Sequence, residues 1–288
     1  MTELWKGAPV AEAILTDVRG RAEALRRRGI VPTLAVVRVG ERQDDLAYER
    51  SAVKRCEGCG VAVRRVLPDA ASGQAGLMEC LRDLAGDPSV HGILLFQPLP
   101  AGYDGAEARG AIPPEKDVDG CTAGSQAHVY AGTPGGFAPC TAEAVVEILR
   151  FYGADPAGLR AVVIGRSLVI GRPAAMLLMH ANATVTVCHR KTRDAAALAR
   201  EADILVTAAG EMRSFGAGYM RPGQMVLDVG ISWNEAEGRL CGDVRTEEAQ
   251  GLVRAVTPVP GGVGAVTGAI LVRHAVEAAE RQRKGAEV

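Results

Sequence analysis

The sequence is poor in aromatic residues, which make up 4% of 288 residues. Val, Leu, Ile and Ala must therefore fill whatever core forms. Neither sign of charge is in excess: 33 Lys+Arg face 34 Asp+Glu, a formal net charge of -1. That balance argues against a nucleic-acid partner held by bulk electrostatics. No run of about 18 apolar residues exists, so no transmembrane helix and no membrane partner are expected. The start, MTELWKGAPVAEAIL, lacks the basic flank and apolar stretch of a secretory signal. Seven Cys, an odd number scattered along the chain, do not make a disulfide scaffold. Reduced thiols in a cytoplasm fit them better. The five His residues show no H-E-x-x-H or other ligand spacing. The single CxxC, Cys56 to Cys59, has no second pair to complete a zinc site. No metal is expected. A redox role for that pair stays open, although its surroundings are not a thioredoxin-like entry and chance spacing at a helix end is the preferred reading.

What is present is globular. Hydrophobic residues reach 48%, enough for a core and too many for a disordered chain. Length at about 150 residues per domain gives a prior of two domains. Strand-like runs Thr33–Gly40, Ala62–Pro68 and Gly92–Pro100 alternate with helix-like stretches at Leu46–Gly58 and Gln74–Leu84. A helix precedes them from about Val10 to Arg28, ended by Gly29. This β-α-β-α-β order implies parallel strands with right-handed crossovers. A second series follows, with strands at Ala161–Gly165, Thr184–Cys188, Ile204–Gly210 and Met225–Ile231 and helices at Arg172–Asn182 and Asp194–Ala202. These strands are apolar nearly throughout, as expected when helices cover both faces. The join falls near Pro139–Thr141, and Val266–Lys284 reads as one long final helix. The fold class is α/β, in two α/β domains, the later one Rossmann-like with a parallel sheet. The expected limits are 1–139, completed by the helix 266–288, and 140–265.

The strongest local signal is AVVIGRSLVIGRP, Ala161 to Pro173. A buried strand runs into a loop bearing Gly165 and Gly171, and a helix begins there. Glycine lets backbone approach an anion, and a helix N-terminus offers free N–H groups. The spacing is not G-x-G-x-x-G, so a simple tight βα turn remains the other reading. The end of the next strand bears on the choice. Rossmann-like sites that take NAD place a carboxylate there for the ribose 2′-hydroxyl. Here stand His189, Arg190 and Lys191. Cations suit a 2′-phosphate, which favours NADP, and Arg166 can join them. A solvated basic loop is the bland alternative. Farther along, PPEKDVDGCT carries Asp117 and Asp119, which alone read as a turn with carboxylates in water. TPVPGGVGAVT, Thr257–Thr267, reads first as a rigid loop before a helix, with glycines that would let a flat ligand lie against backbone.

Taken together, VRVGERQDDLAYERS, GILLFQPLP, KDVDG, PCT, VVIGRSLVIGRP, VLDVGI, GDV and TPVPGGVGAVT resemble the methylenetetrahydrofolate dehydrogenase/cyclohydrolase family over nearly the whole chain. KDVDG and PVPGGVG are the most specific of these blocks. The resemblance implies a folate cleft between the two domains, NADP on the later one, and a homodimer. It implies oxidation of 5,10-methylenetetrahydrofolate to the methenyl form, then hydration to 10-formyltetrahydrofolate, within one-carbon metabolism. By the same resemblance Tyr48 packs along the folate and Asp119 reads the pterin ring, beside Pro260, Gly261 and Gly262. Gly165, Arg166 and Ser167 form the phosphate loop. Arg190 contacts the 2′-phosphate, and Ile231 offers a backbone contact near the nicotinamide.

Two positions depart from the family. Its lysine, four residues after the tyrosine, is here Ala52, and the glutamine of its GILVQLPLP block is here Phe96. Gln97 lies one step along, which on a strand is the other face. Lys54, two residues past the vacant slot, is about 200° around a helix. Arg55 shares Tyr48's face but lies about 10 Å along the axis, and a guanidinium is a poor proton shuttle. Lysine and glutamine serve the hydration step in the family, which needs a proton relay. The expectation is a working dehydrogenase with weak, absent or differently built cyclohydrolase activity. A fully bifunctional enzyme and a folate- and nucleotide-binding protein without chemistry are the alternatives.

Overall fold

The computed structural model describes residues 1–286. Strand β1 (Glu3–Leu4) leads into helix α1 (Gly7–Arg27), and the chain then builds two compact α/β units. One unit comprises residues 13–140 with the chain from Gly268 onward. The other comprises residues 1–12 and 141–267.

In the first unit β2 (Thr33–Val37) is flanked by β3 (Ala62–Val66) and β4 (Gly92–Leu95), both parallel to it. Helix α2 (Gln43–Gly58) connects β2 to β3, and α3 (Gly73–Gly86) connects β3 to β4. The centre of the sheet is aliphatic: Ala35, Val37, Ile93 and Leu95 pack with Leu77, Leu81 and Leu84 of α3. The apolar run after Gly92 stops being strand at Leu95, five residues earlier than its hydrophobicity predicts. Pro98 and Pro100 lack the N–H that a ladder needs. Short helices α4 (Gly105–Gly110) and α5 (Ala123–Ala131) follow.

Helix α6 (Cys140–Phe151) opens the second series. Strands β5 (Arg160–Ile164), β6 (Thr184–Cys188), β7 (Ile204–Thr207) and β8 (Met225–Asp228) alternate with α7 (Gly171–His180) and α8 (Ala195–Glu201). A small antiparallel hairpin, β9 (Ser232–Asn234) and β10 (Arg239–Cys241), precedes α9 (Thr246–Ala249) and β11 (Ala255–Val256). The final helix α10 runs from Val263 to Ala286. The six-stranded sheet has the order β1-β11-β8-β7-β5-β6, and every pairing is parallel. This is the Rossmann-like architecture that the β/α alternation predicts.

Two features differ from the sequence reading. The first twelve residues belong to the unit of the larger sheet, where β1 pairs with β11 and Trp5 stacks on Tyr152 at 4.9 Å. A two-residue strand carries too little periodicity to be seen in sequence. Strand β6 is also not covered on both faces: it lies at the sheet edge, and Thr184, Thr186 and Val187 are exposed. Threonine at alternate positions suits that half-solvated edge.

Candidate active site

In an open parallel sheet, ligands bind outside the carboxyl ends of the strands where the strand order reverses. In the larger sheet that point lies between β5 and β7, since β6 lies on one side of β5 and β7 on the other. A cavity of about 790 Å³ opens there. Gly165 and Ser167 line it from the end of β5, His189, Arg190 and Lys191 from the end of β6, and Ala208 and Glu211 from the end of β7. Gly165 has φ +131°, and a side chain on it would overlap the Ala208 carbonyl. A Cβ on Gly171, at the start of α7, would in turn overlap the Gly165 carbonyl. These close backbone approaches are what a pyrophosphate cradle requires. Ser167 Oγ accepts from the N–H groups of Ile170 (3.2 Å) and Gly171 (3.3 Å), and so holds the loop that leads into α7.

The basic wall of this cavity is organised. His189 N–H donates to Thr192 Oγ1 at 2.9 Å, and Lys191 N–H donates to His189 Nδ1 at 3.1 Å. The Arg190 side chain is 80% exposed and pairs with Glu211 at 2.5 Å. Gly165, Arg166, Ser167 and Arg190 thus line one cavity. Ile231 is exposed and is not among its lining residues.

The floor behind the cavity rests on two buried carboxylates. Asp228, at the end of β8, accepts from Thr207 Oγ1 (3.1 Å) and from the N–H groups of Asp243 and Val244 (3.0 Å each). Asp243 accepts from Ala209 N–H (2.7 Å) and Gly210 N–H (3.1 Å). Burial outweighs these donors, pushing Asp228 up to about 6 and Asp243 upward as well. The VLDVGI and GDV blocks are therefore one hydrogen-bonded brace that fixes the loop after β7.

In the smaller sheet the order reverses at β2. Past its strand ends stands Phe96, buried, its N–H donating to Val37 O at 3.0 Å. Tyr48 on α2 meets the Phe96 ring edge-on, with centroids 5.6 Å apart. Helix α2 is held by Glu49, which receives Arg38 at 2.8 Å and Arg65 at 3.2 Å. The Arg38–Glu49 pair is buried, so this clamp is stiff. Tyr48 as a whole is 37% exposed, but its hydroxyl is desolvated. That desolvation first, and the charge of Asp119 second, push its pKa far above the usual tyrosine value.

Asp117 and Asp119 have separate jobs. Asp117 is fully buried, not solvated as the turn reading had it. It accepts from Cys121 N–H (3.1 Å) and Thr122 N–H (2.8 Å), and so shapes the loop. Gly120 has φ +68°, and a side chain on it would overlap the Ala138–Pro139 backbone. KDVDG and PCT are thus two halves of one packed corner. Asp119, half-buried beside it, is pushed up to about 7, chiefly by burial and then by Asp117, with His274 and Cys140 pulling back.

The two departures are visible in the packing. Ala52 is buried on α2, one turn after Tyr48. Lys54 is exposed. Gln97 is exposed too, with its amide near Gly105 rather than beside Phe96. Arg55 lies against Gly268 of α10 and feels the Tyr48 hydroxyl electrostatically. Pro260, Gly261 and Gly262 stand between β11 and α10 in the larger-sheet unit. Pro260 and Gly261 are exposed, and Gly262 is buried. Sequence reasoning missed Glu211, Thr192 and His274. None lies in a recognisable block, and only the fold brings them to their sites. Cys56 and Cys59 are buried at the end of α2, and burial pushes the Cys56 thiol up to about 12. Among the described residues no group of three or more His, Cys, Asp or Glu could hold a metal ion, and no helix is long and apolar enough to cross a membrane.

Residues 5–119 match the catalytic domain of tetrahydrofolate dehydrogenase/cyclohydrolase, and residues 139–283 match its NAD(P)-binding domain. The bifunctional protein FolD of Carboxydothermus hydrogenoformans is 46% identical over 281 residues, spanning 97% of this chain and 98% of that protein. The crystal structure of the bifunctional FolD enzyme of Campylobacter jejuni superposes with a TM-score of 0.94 at 36% identity, covering 98% of this chain and 99% of that one. The Trypanosoma brucei enzyme, solved with NADP cofactor and inhibitor, gives 0.90 at 34% identity, covering 97% and 98%.

Proposed function

The chain belongs to the tetrahydrofolate dehydrogenase/cyclohydrolase family, and on that premise we propose that it oxidises 5,10-methylenetetrahydrofolate with NADP and performs the following hydration weakly or not at all. The observation that carries the second half is the pairing of a buried Ala52 with a Phe96 packed on Tyr48.

Hydride transfer asks little proton chemistry of the protein, because the folate nitrogens stabilise the cationic carbon. The site has mainly to align two rings. Bound NADP would supply the hydride acceptor in its nicotinamide ring. The residues present fit it: the close backbone around Gly165 cradles a pyrophosphate, and Arg190 and Lys191 offer charge for a 2′-phosphate. Tyr48 gives the folate an apolar wall, stiffened by Phe96 and by the Glu49 clamp. Asp119 offers its carboxylate to the donor edge of the pterin. The resemblance assigns Pro260, Gly261 and Gly262 to folate and a backbone contact at Ile231 to the nicotinamide. In this reading residues 13–140 with the chain from Gly268 onward take folate, and residues 1–12 with 141–267 take NADP. The resemblance supports a homodimer, and seven cysteines, all free, fit a reducing cytoplasm.

Hydration is different. Water must be deprotonated and a ring nitrogen protonated, which needs a titratable group at the reacting carbon. Ala52 and Phe96 have none. The relatives are named bifunctional, so the contrary outcome is well defined. The test is to supply purified protein with methenyltetrahydrofolate alone. Loss at the uncatalysed rate supports the proposal. Loss at a rate comparable to hydride transfer refutes its second half. NADP left unreduced in the presence of methylenetetrahydrofolate refutes the first.

A further inference from the structure

The residues that follow β6 offer no carboxylate to a ribose 2′-hydroxyl, yet the cavity holds two, Asp194 and Glu211. Asp194 is committed to its own helix: its side chain accepts from Ala197 N–H at 3.2 Å and caps α8. Glu211, in the loop after β7, instead reaches Arg190 in the loop after β6, with Oε1 2.5 Å from Nε. Strands β6 and β7 flank β5, so this pair joins the loops on either side of the phosphate loop. A carboxylate from β7 thus reaches the position from which Rossmann-like NAD sites offer one at the end of β6. The Glu211 backbone is not free to withdraw. Before it, Ala209 and Gly210 N–H donate to the Asp243 carboxylate at 2.7 and 3.1 Å. After it, Arg213 N–H donates to the Gly242 carbonyl at 2.9 Å and Phe215 N–H to the Asp243 carbonyl at 3.0 Å. Asp243 is itself fully buried, and a Cβ on Gly230 would overlap its carboxyl. The Glu211 side chain is 31% exposed and that of Arg190 80% exposed, so neither supports the core.

We infer that Glu211 is a cofactor selector opposed to Arg190: it accepts the 2′-hydroxyl of an unphosphorylated adenosine ribose and repels a 2′-phosphate, so that the site takes NAD as well as NADP. The inference rests on reading this cavity as the nucleotide site, with Arg190 at the ribose 2′ position. A carboxylate only accepts hydrogen bonds. A ribose hydroxyl donates one to it, strengthened by the charge. A 2′-phosphate brings further negative charge against the carboxylate and is repelled. With NAD bound, the Arg190–Glu211 pair stays closed. With NADP bound, Arg190 turns to the phosphate and Glu211 loses its partner. The ion pair therefore opposes NADP and leaves NAD untouched, while the exposed Lys191 offers the phosphate a second cation. The staple on Asp243 keeps the carboxylate at the cavity in either complex. No motif marks Glu211, and only the fold brings it to Arg190.

The test is calorimetry of NAD and NADP with wild type, with Glu211→Gln, and with Arg190→Ala alone and combined with Glu211→Gln. Wild type should bind NAD within about tenfold of NADP. Glu211→Gln should tighten NADP a few-fold and weaken NAD roughly threefold, moving the ratio of the two dissociation constants about tenfold toward NADP. Adenosine 2′,5′-bisphosphate and adenosine 5′-monophosphate carry no nicotinamide. The same shift between them would locate the effect at the ribose and support the inference. The NAD loss caused by Glu211→Gln should persist when Arg190 is Ala, because the carboxylate accepts the hydroxyl directly. An unmoved ratio in Glu211→Gln overturns the inference. NADP bound more weakly by Glu211→Gln also overturns it, and would make Glu211 a support for Arg190. An NAD loss that vanishes in the Arg190→Ala background overturns it for the same reason. In each of these cases the nucleotide reading of the cavity stands. Wild type that binds neither dinucleotide would refute that reading, and the inference with it.

Discussion

Arg190→Ala tests the cofactor assignment at a residue whose surroundings allow a magnitude to be worked out. A guanidinium on a 2′-phosphate is a charge-assisted contact worth about 1.5–3 kcal/mol. Arg190 is not free to make it at no cost, because it must first leave Glu211. With the Arg190 side chain 80% exposed, that ion pair is worth only about 0.2–1 kcal/mol. The net contribution to NADP binding is then about 1–2 kcal/mol, a loss of roughly 5- to 30-fold in affinity on removal. NAD lacks the 2′-phosphate, so its affinity should move less than about twofold. Calorimetry of both cofactors with wild type and variant reads the ratio. A parallel loss of NAD and NADP affinity would make Arg190 a structural residue, and an unmoved ratio would place the 2′-phosphate elsewhere. The same reasoning gives a gain: Glu211→Gln frees the guanidinium, and NADP should bind a few-fold more tightly.

Further expectations concern the folate site, the loop, the thiols and pH. Asp119→Ala should abolish folate turnover while NADP Kd stays near wild type; equal loss of both would make Asp119 a structural residue. Gly165→Ala should cost about 1–3 kcal/mol from backbone strain alone, seen as a lower Tm together with weakened NADP, because the added Cβ meets the Ala208 carbonyl. Cys56 is buried with its thiol pushed up to about 12, so alkylation of the native protein should spare it, and Cys56→Ser should leave the response to oxidant unchanged. Asp228, pushed up to about 6 by burial, binds its proton more tightly folded than unfolded. Its contribution to stability is therefore largest below pH 4 and falls as pH rises to about 6. Chemical denaturation of wild type and Asp228→Asn across that window should show a slope in the first that is missing in the second.

How much was legible in the sequence follows from where the information sits. Gly165 and Gly171 could be read as a phosphate loop because a close backbone approach demands glycine locally. The parallel strands could be read because burial on both faces makes β5 and β7 continuous apolar runs. Asp119 was legible as a candidate through KDVDG, but its separation from Asp117 was not. Only the fold shows that one carboxylate is consumed by the N–H groups of Cys121 and Thr122. Likewise His274 lies 155 residues from Asp119 in the chain, and no local pattern records such a meeting. Strand β1 was too short to register, and its place beside β11 depends on a partner some 250 residues away. Ala52 and Phe96 were legible as departures only against the family. Their physical meaning came from packing: Ala52 is buried, and Phe96 closes on Tyr48.

One reaction followed at two signals decides whether oxidation proceeds without hydration. Purified protein is mixed with methylenetetrahydrofolate and NADP, and reduced cofactor and methenyl product are recorded together. The two should accumulate nearly one for one, with methenyl lost at or near its uncatalysed rate. Reduced cofactor that accumulates while methenyl is drained at a rate comparable to hydride transfer would contradict this, and would assign the hydration to a residue other than those at the Ala52 and Phe96 positions.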